Sequence, residues 1–257
     1  IERLRAAGIG AINVDLMYGL PGQSVDHVVR SARAMSELSP DRFAVFGYAH
    51  VPWFKKHQRA IDESRLPGGA ERLAQAEAVA ETLTGAGYSS IGLDHFARPD
   101  DALAIAQARG DLRRNFQGYT VDPASALIGL GASSIGSFRQ GFVQNEPHLG
   151  RYEPAVGAGR MPTVRGLALS EDDRLRGAVI ERLMCNLEVD LDAFGGFGAE
   201  VLADAGSRLS GFCEDGLVEV DAATVRVTPA GRPYVRNVAA CFDATHQASP
   251  GRHSRAV

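Results

Sequence analysis

The sequence predicts an α/β protein whose second part is mostly helical and winged-helix-like, and three observations carry that reading. Residues 11–23 read A-I-N-V-D-L-M-Y-G-L-P-G-Q, a nearly unbroken apolar run of strand length closed by Gly19, Pro21 and Gly22. Such a run is how a strand buried on both faces of a parallel sheet appears in sequence. A helical pattern over Ser24–Leu38 and a second apolar run over Arg42–His50 then make a strand–helix–strand unit, parallel and right-handed by the general rule for such crossovers. From Leu169 the spacing is helical and ends in an alternating hairpin, the order of a winged-helix module.

Composition sets the limits. With 257 residues, 45% hydrophobic and 23% charged, the chain can bury a core and is expected to form one large part, 1–160, and a smaller one, 161–257. A net charge of -4 supplies no basic face for nucleic acid. No apolar run approaches the ~20 residues of a membrane span. No charged-then-apolar leader opens the chain, so a cytoplasmic protein without a membrane anchor is expected. Residue 1 is Ile, and Ile1–Ala7 reads as the tail of a helix already under way, ended at Gly8 and Gly10; the chain is expected to start inside a domain.

Each element has its own local reason. Ser24 is a natural N-cap, and Val25, Val28, Val29, Ala32 and Met35 share one face of the helix that follows. Residues 51–68, with Pro52, Trp53, His57 and Pro67, form a long loop of the kind that covers a site. Gly69–Thr84 is a helix, Tyr88–Leu93 a short strand, and Asp100–Arg109 another helix. Ala126–Phe138 is so rich in Gly, Ala and Ser that its backbone should run close to a partner or ligand. Gly157, Gly159 and Pro162 make residues 150–165 read as a linker. Ser170 caps a helix carrying Leu175, Val179, Ile180, Leu183 and Met184; two strands follow within 211–228, then a helix over Pro229–Val238 and a polar tail expected to fray.

Three polar clusters interrupt the apolar pattern: Asp15 with Tyr18, Asp94 with His95, and Asn115–Tyr119. Asp15 lies near the C-terminal end of its strand, where α/β folds place ligands, or else caps a neighbouring loop. The Asp94–His95 pair reads equally as a structural histidine. The N-F-Q-G-Y segment could stack on a flat ligand and hydrogen-bond its edge, or form a turn with buried aromatics. Arg98, Arg109, Arg113 and Arg114 surround these clusters and could pair with substrate carboxylates. Cys185, Cys213 and Cys241 are too dispersed for a metal motif and are expected as buried free thiols. No nucleophile elbow, P-loop or zinc-protease motif is present.

V-D-L-M-Y-G-L-P-G-Q, F-G-Y-A-H-V-P, G-L-D-H-F-A-R-P-D-D and R-N-F-Q-G-Y-T, with L-M-C-N and V-R-N-V-A-A-C-F-D in the C-terminal part, resemble the oxygen-independent coproporphyrinogen III oxidases of the radical S-adenosylmethionine superfamily. The resemblance runs through the whole chain. It implies the last two strands of a partial (β/α) barrel followed by a winged-helix-like domain. In that family a 4Fe-4S cluster held by three cysteines cleaves S-adenosylmethionine to a radical. The radical abstracts hydrogen from a propionate, and loss of carbon dioxide and an electron leaves a vinyl group. Two propionates of coproporphyrinogen III are converted, giving protoporphyrinogen IX, with a second S-adenosylmethionine bound beside the first.

By position, the resemblance makes Asp15 and Ala49 contacts of that second molecule, and Phe116 and Gln117 shapers of its site. It makes Ile135 a contact of the cluster-bound molecule. The cluster motif Cys-x-x-x-Cys-x-x-Cys does not occur in the chain and belongs upstream of Ile1, so the chain by itself is expected to be inactive and poorly soluble. The implied partners are an electron donor such as flavodoxin or ferredoxin, with a monomeric enzyme. A haem chaperone relative is the competing reading, opposed by D-H-F-A-R-P and N-F-Q-G-Y. A winged-helix nucleic-acid binder is opposed by the mixed charge of residues 169–238.

Overall fold

The computed structural model describes residues 1–245; the polar tail read from the sequence lies outside them. Helix α1 (Glu2–Ala6) is brief and gives way at Gly8, whose φ of 84° is left-handed. Strand β1 (Asn13–Tyr18), helix α2 (Val25–Glu37) and strand β2 (Arg42–Gly47) form the expected unit, with β1 and β2 parallel from Asn13↔Arg42 to Tyr18↔Gly47. Ser24 caps α2, and His27 returns the bond by accepting from the Ser24 N–H at 3.1 Å.

Helix α3 (Gly69–Gly85) packs beside α2 on the same side of the sheet. Together they bury Phe43, Val45, Val79, Leu83, Tyr88 and Phe96. Strand β1 is therefore not buried on both faces. Asn13, Asp15 and Met17 are exposed, whereas Tyr18 is buried and Val14 and Leu16 are half-buried. One layer of helices covers one face; on the other, Ile91 and Ala97 are fully buried with Leu103, Ala106, Leu112 and Cys185, whereas the β1–β2 end is left exposed, Phe46 of β2 included.

Strands β3 (Ser89–Ile91) and β4 (His95–Ala97) form a hairpin that inserts β4 antiparallel beside β2, in the order β1-β2-β4-β3. Helix α4 (Ala102–Arg109) follows, capped by Asp101, which accepts from the Leu103 N–H at 2.8 Å. The other Asp101 oxygen holds Arg42 Nε at 2.8 Å, tying the start of β2 to the start of α4. A second hairpin joins β5 (Arg113–Asn115) and β6 (Gly118–Thr120).

Strands β7 (Ile135–Phe138) and β8 (Gly141–Asn145), helix α5 (Leu149–Gly157) and strand β9 (Thr163–Ala168) come next, the strands forming an antiparallel sheet β7-β8-β9. Residues 150–165 are thus helix and strand rather than a linker. Every residue of β9 is exposed, so no burial pattern marks it, and its order comes from backbone pairing with β8. Gly141 permits that pairing: at its φ of 151° an added Cβ would lie 1.9 Å from the Leu167 carbonyl oxygen.

The C-terminal module consists of α6 (Glu171–Asn186), β10 (Glu188–Asp190), α7 (Gly196–Glu214), β11 (Val218–Asp221), β12 (Thr224–Val227) and α8 (Val235–Ala240). The sheet order is β10-β12-β11, and Val179, Leu183, Val201, Leu209, Val225 and Phe242 fill the core. Cys185 and Cys241 are buried as expected, but Cys213 is exposed. The apolar stripe of α7 runs through Val201, Ala205, Leu209 and then Phe212, which leaves Cys213 outside. Among the described residues no helix is long and apolar enough to cross a membrane.

Candidate active-site face

The open face of the sheet carries a polar row. Asp15 of β1 is in register with Ala44 of β2, and Ala44 with His95 of β4, so all three side chains share that face. Asp15 accepts from Asn13 Nδ2 at 2.7 Å, a contact along the strand rather than a loop cap. His95 Nδ1 lies 2.7 Å from Asp94 Oδ1, and the second Asp94 oxygen lies 3.6 Å from Arg236 of α8.

The loops above the sheet are pinned by side chains. Ala49, two residues past β2, has its carbonyl held by Gln58 Nε2 at 3.0 Å, and Gln58 Oε1 accepts from Val51 N–H at 2.6 Å. His50 bridges Tyr48 and Glu63 at 3.3 and 3.0 Å. The long 51–68 loop is thereby strapped across the end of β2. Gln75 of α3 is fully buried and clasps the L-P-G-Q turn after β1, accepting from Gly19 N–H at 2.9 Å and donating to the Gln23 carbonyl at 2.6 Å. Beside it the Arg72 guanidinium lies over the Tyr18 ring and donates to the Tyr48 carbonyl at 2.9 Å. Burial raises the Tyr18 phenol above its usual range, against the opposing pull of Arg72.

Phe116 and Gln117 form the turn between β5 and β6, where the Asn115 side chain accepts from Gln117 N–H at 2.8 Å. Phe116 is 55% exposed, so this is not a turn with buried aromatics throughout. Its ring meets Phe142 of β8 edge-on at 5.1 Å, and β8 pairs Gln144 with Ile135. The structure therefore brings Phe116 and Gln117 to the hairpin that holds Ile135, while Asp15 and Ala49 sit on the sheet. No side-chain hydrogen bond or aromatic pair among the described residues joins the two groups directly. The close approach expected in Ala126–Phe138 occurs within the segment: Leu127 pairs with Ser137, and a Cβ on Gly129 would lie 2.9 Å from the Ile135 carbonyl carbon.

Tyr119 is the aromatic that does become buried. Its hydroxyl accepts from Leu93 N–H at 2.9 Å and donates to the Met184 carbonyl at 2.8 Å, joining the β3–β4 turn to α6. Burial drives its phenol up to about 12. Arg232 reinforces the same seam by donating to the Gly92 carbonyl. Of the arginines singled out, Arg98 pairs with Asp100 at 3.2 Å, Arg113 reaches Glu181 at 3.9 Å and Arg114 lies over Tyr119. Arg109 stands in the last turn of α4.

The region matching a described protein family, HemN C-terminal domain, is residues 169–234. An oxygen-independent coproporphyrinogen III oxidase from Bradyrhizobium diazoefficiens is 50% identical over 260 residues, covering 100% of this chain and 58% of that protein. One of the same name from Thermostichus vulcanus is 42% identical over 257 residues, covering 98% of this chain and 79% of that protein. The chain belongs to the oxygen-independent coproporphyrinogen III oxidase family. The Escherichia coli structure described as coproporphyrinogen III oxidase (HemN), a radical SAM enzyme, superposes with a TM-score of 0.89 at 38% identity, over 95% of this chain and 57% of that one. The chain spans 57–58% of the length of the first relatives it matches.

As a member of the coproporphyrinogen III oxidase family, the chain carries the α/β layer and C-terminal module of its structural relative. Its residues do not fit an iron–sulfur cluster. Among the described residues no group of three His, Cys, Asp or Glu could hold a metal, and burial pushes the Cys185 thiol up to about 12, away from the thiolate a cluster needs. They do fit an adenosine-bearing cofactor, for which the exposed Asp15 carboxylate and the bare Phe116 ring are suitable partners. Sequence reading missed Gln75 and Arg72 as framing residues. For Gln75 a signal existed, since it stands four and eight residues before Val79 and Leu83 on the buried face of α3.

Proposed function

We propose that the chain is the C-terminal part of an oxygen-independent coproporphyrinogen III oxidase, converting two propionates of coproporphyrinogen III to vinyl groups in the cytoplasm. The observation that carries this reading is the exposed β1–β2 face with Asp15 on its edge strand, strapped at one end by the 51–68 loop, on a chain with this family membership. The reading includes two bound S-adenosylmethionine molecules, a flavodoxin or ferredoxin as electron donor, and a monomer. It also includes the two-part organisation, 1–160 and 161–257, with β9 pairing back onto β8.

Bound S-adenosylmethionine would supply the hydrogen-abstracting group. Asp15 presents a carboxylate that accepts hydrogen bonds from a ribose hydroxyl or an ammonium group. Ala49 leaves room beside a backbone that Gln58 fixes in place. Phe116 offers a ring face for stacking, Gln117 an amide edge, and Ile135 an apolar wall. Cluster chemistry is assigned to none of these residues.

The test is anaerobic turnover of the full-length protein with coproporphyrinogen III, S-adenosylmethionine and reduced flavodoxin. The expected product is protoporphyrinogen IX, formed with release of two carbon dioxide molecules. Stoichiometric haem binding with no decarboxylation would replace this reading with that of a haem chaperone.

A further inference from the structure

We propose that His95 binds a carboxylate of the substrate, its Nε2–H donating to a propionate, and that Asp94 and Arg236 position it. This rests on the oxidase reading above and adds a residue to the same face.

Position is the first argument. His95 shares a register row with Asp15 across β1, β2 and β4, two strand spacings or about 10 Å away. The ring therefore points away from the α2–α3 core, its side chain 21% exposed beside the hairpin that carries Gly118 and Tyr119. The second argument concerns its nitrogens. Nδ1 is committed to Asp94 at 2.7 Å, which fixes the ring and its proton there. Nε2 makes no hydrogen bond among the described residues.

The third argument is the space in front of Nε2. It looks toward Gly118, where an added Cβ would lie 3.7 Å from it; Gly118 has a φ of 130° and stands directly after the Phe116–Gln117 turn. The Tyr119 ring backs the imidazole edge-on at 5.2 Å. His95 thus links the strand row that carries Asp15 to the hairpin that carries Phe116 and Gln117.

The fourth argument is charge. Arg42 is the other cationic side chain on this face of β2, and Asp101 occupies it at 2.8 Å. The charge of Asp94 is opposed by Arg236 at 3.6 Å. With both ring nitrogens protonated, Nε2–H is a donor that neither Asp94 nor Asp101 occupies. A substrate whose polar groups are carboxylates is the chemistry that answers it.

The experiment uses the full-length protein with His95→Ala and His95→Gln. It measures KM and kcat for coproporphyrinogen III, and separately the affinities for fluorescent coproporphyrin III and for S-adenosylmethionine. In His95→Ala, KM and the coproporphyrin Kd should rise about tenfold or more, as expected for losing a hydrogen bond to a charged group. S-adenosylmethionine affinity and melting temperature should stay near wild type, and His95→Gln should recover part of the loss. Unchanged porphyrin affinity with a lowered melting temperature would make His95 structural and overturn the proposal. Weakened S-adenosylmethionine binding alone would make it a cofactor contact and also overturn it. If the wild type binds coproporphyrin III through His95 but does not decarboxylate, the oxidase reading fails and the His95 contact stands.

Discussion

The C-terminal module and the β1-β2-β4-β3 layer bury their apolar residues in opposite ways. In the module, α6, α7 and α8 close on the wing, so Val179, Leu183, Val201, Val225 and Phe242 all lose water. In the sheet layer α2 and α3 cover one face and leave Met17 and Phe46 in the open beside Asp15. The module closes its core residues on one another. The sheet face holds little stability and supplies the surface on which chemistry can be placed. A substitution should therefore be read by where it falls, and the two regions should respond in different currencies: melting in one, binding in the other.

The sharpest test of that contrast is Leu183→Ala, which hollows the module core and should cost about 3 kcal/mol, measured as a shift in the denaturant midpoint. Tyr119→Phe should cost about 1–2 kcal/mol by removing the two bonds across the seam. Its pH dependence has a definite sign. The phenol is raised from 10.0 to about 12, so the folded state favours the protonated form. That contribution is fully present below pH 10, fades as pH climbs through the folded value, and should be missing from the alkaline limb of Tyr119→Phe. Ser170→Ala removes the capping box of α6 and should cost about 1 kcal/mol. Asp15→Asn should change stability by less than about 0.5 kcal/mol while sharply weakening S-adenosylmethionine binding in the full-length protein. If Asp15→Asn destabilised as much as Leu183→Ala, the open face would not be open and the contrast would collapse.

Much of this was legible in the sequence because local chemistry specified it. Ser24 and Ser170 cap the helices that their spacing announces, and Gly85, Gly87 and Gly110 stand at helix ends. The parallel pairing of β1 with β2 follows from the strand–helix–strand order. What periodicity could not convey was which face would be covered: an unbroken apolar run looks the same whether one or two layers pack on it, and so β1 read as doubly buried. Strand β9 was invisible for the complementary reason, since exposed residues held by backbone pairing leave no apolar signature. The candidate site was approached by two routes. Asp15, Ala49, Phe116, Gln117 and Ile135 were reached through motif resemblance, and the Asp94–His95 pair through its position after an apolar run. Register then put His95 in line with Asp15, a relation that no spacing along the chain encodes.

Gln75 adds a consequence for the order of events in folding. Its amide joins Gly19 and Gln23, 56 and 52 residues earlier in the chain, so the turn after β1, closed locally by Gln23 bonds to Leu20 and Met17, is also clasped from far along the sequence. Bringing such distant segments together costs loop entropy before any bond repays it. Strand β1, the Gln23-bonded bend and helix α2 can form early from local signals, but the Gln75 clasp on that bend is added only when α3 docks. The α3 clasp on this turn is therefore among the last parts of this layer to form, and a nascent chain lacks it until Gln75 has been synthesised and packed.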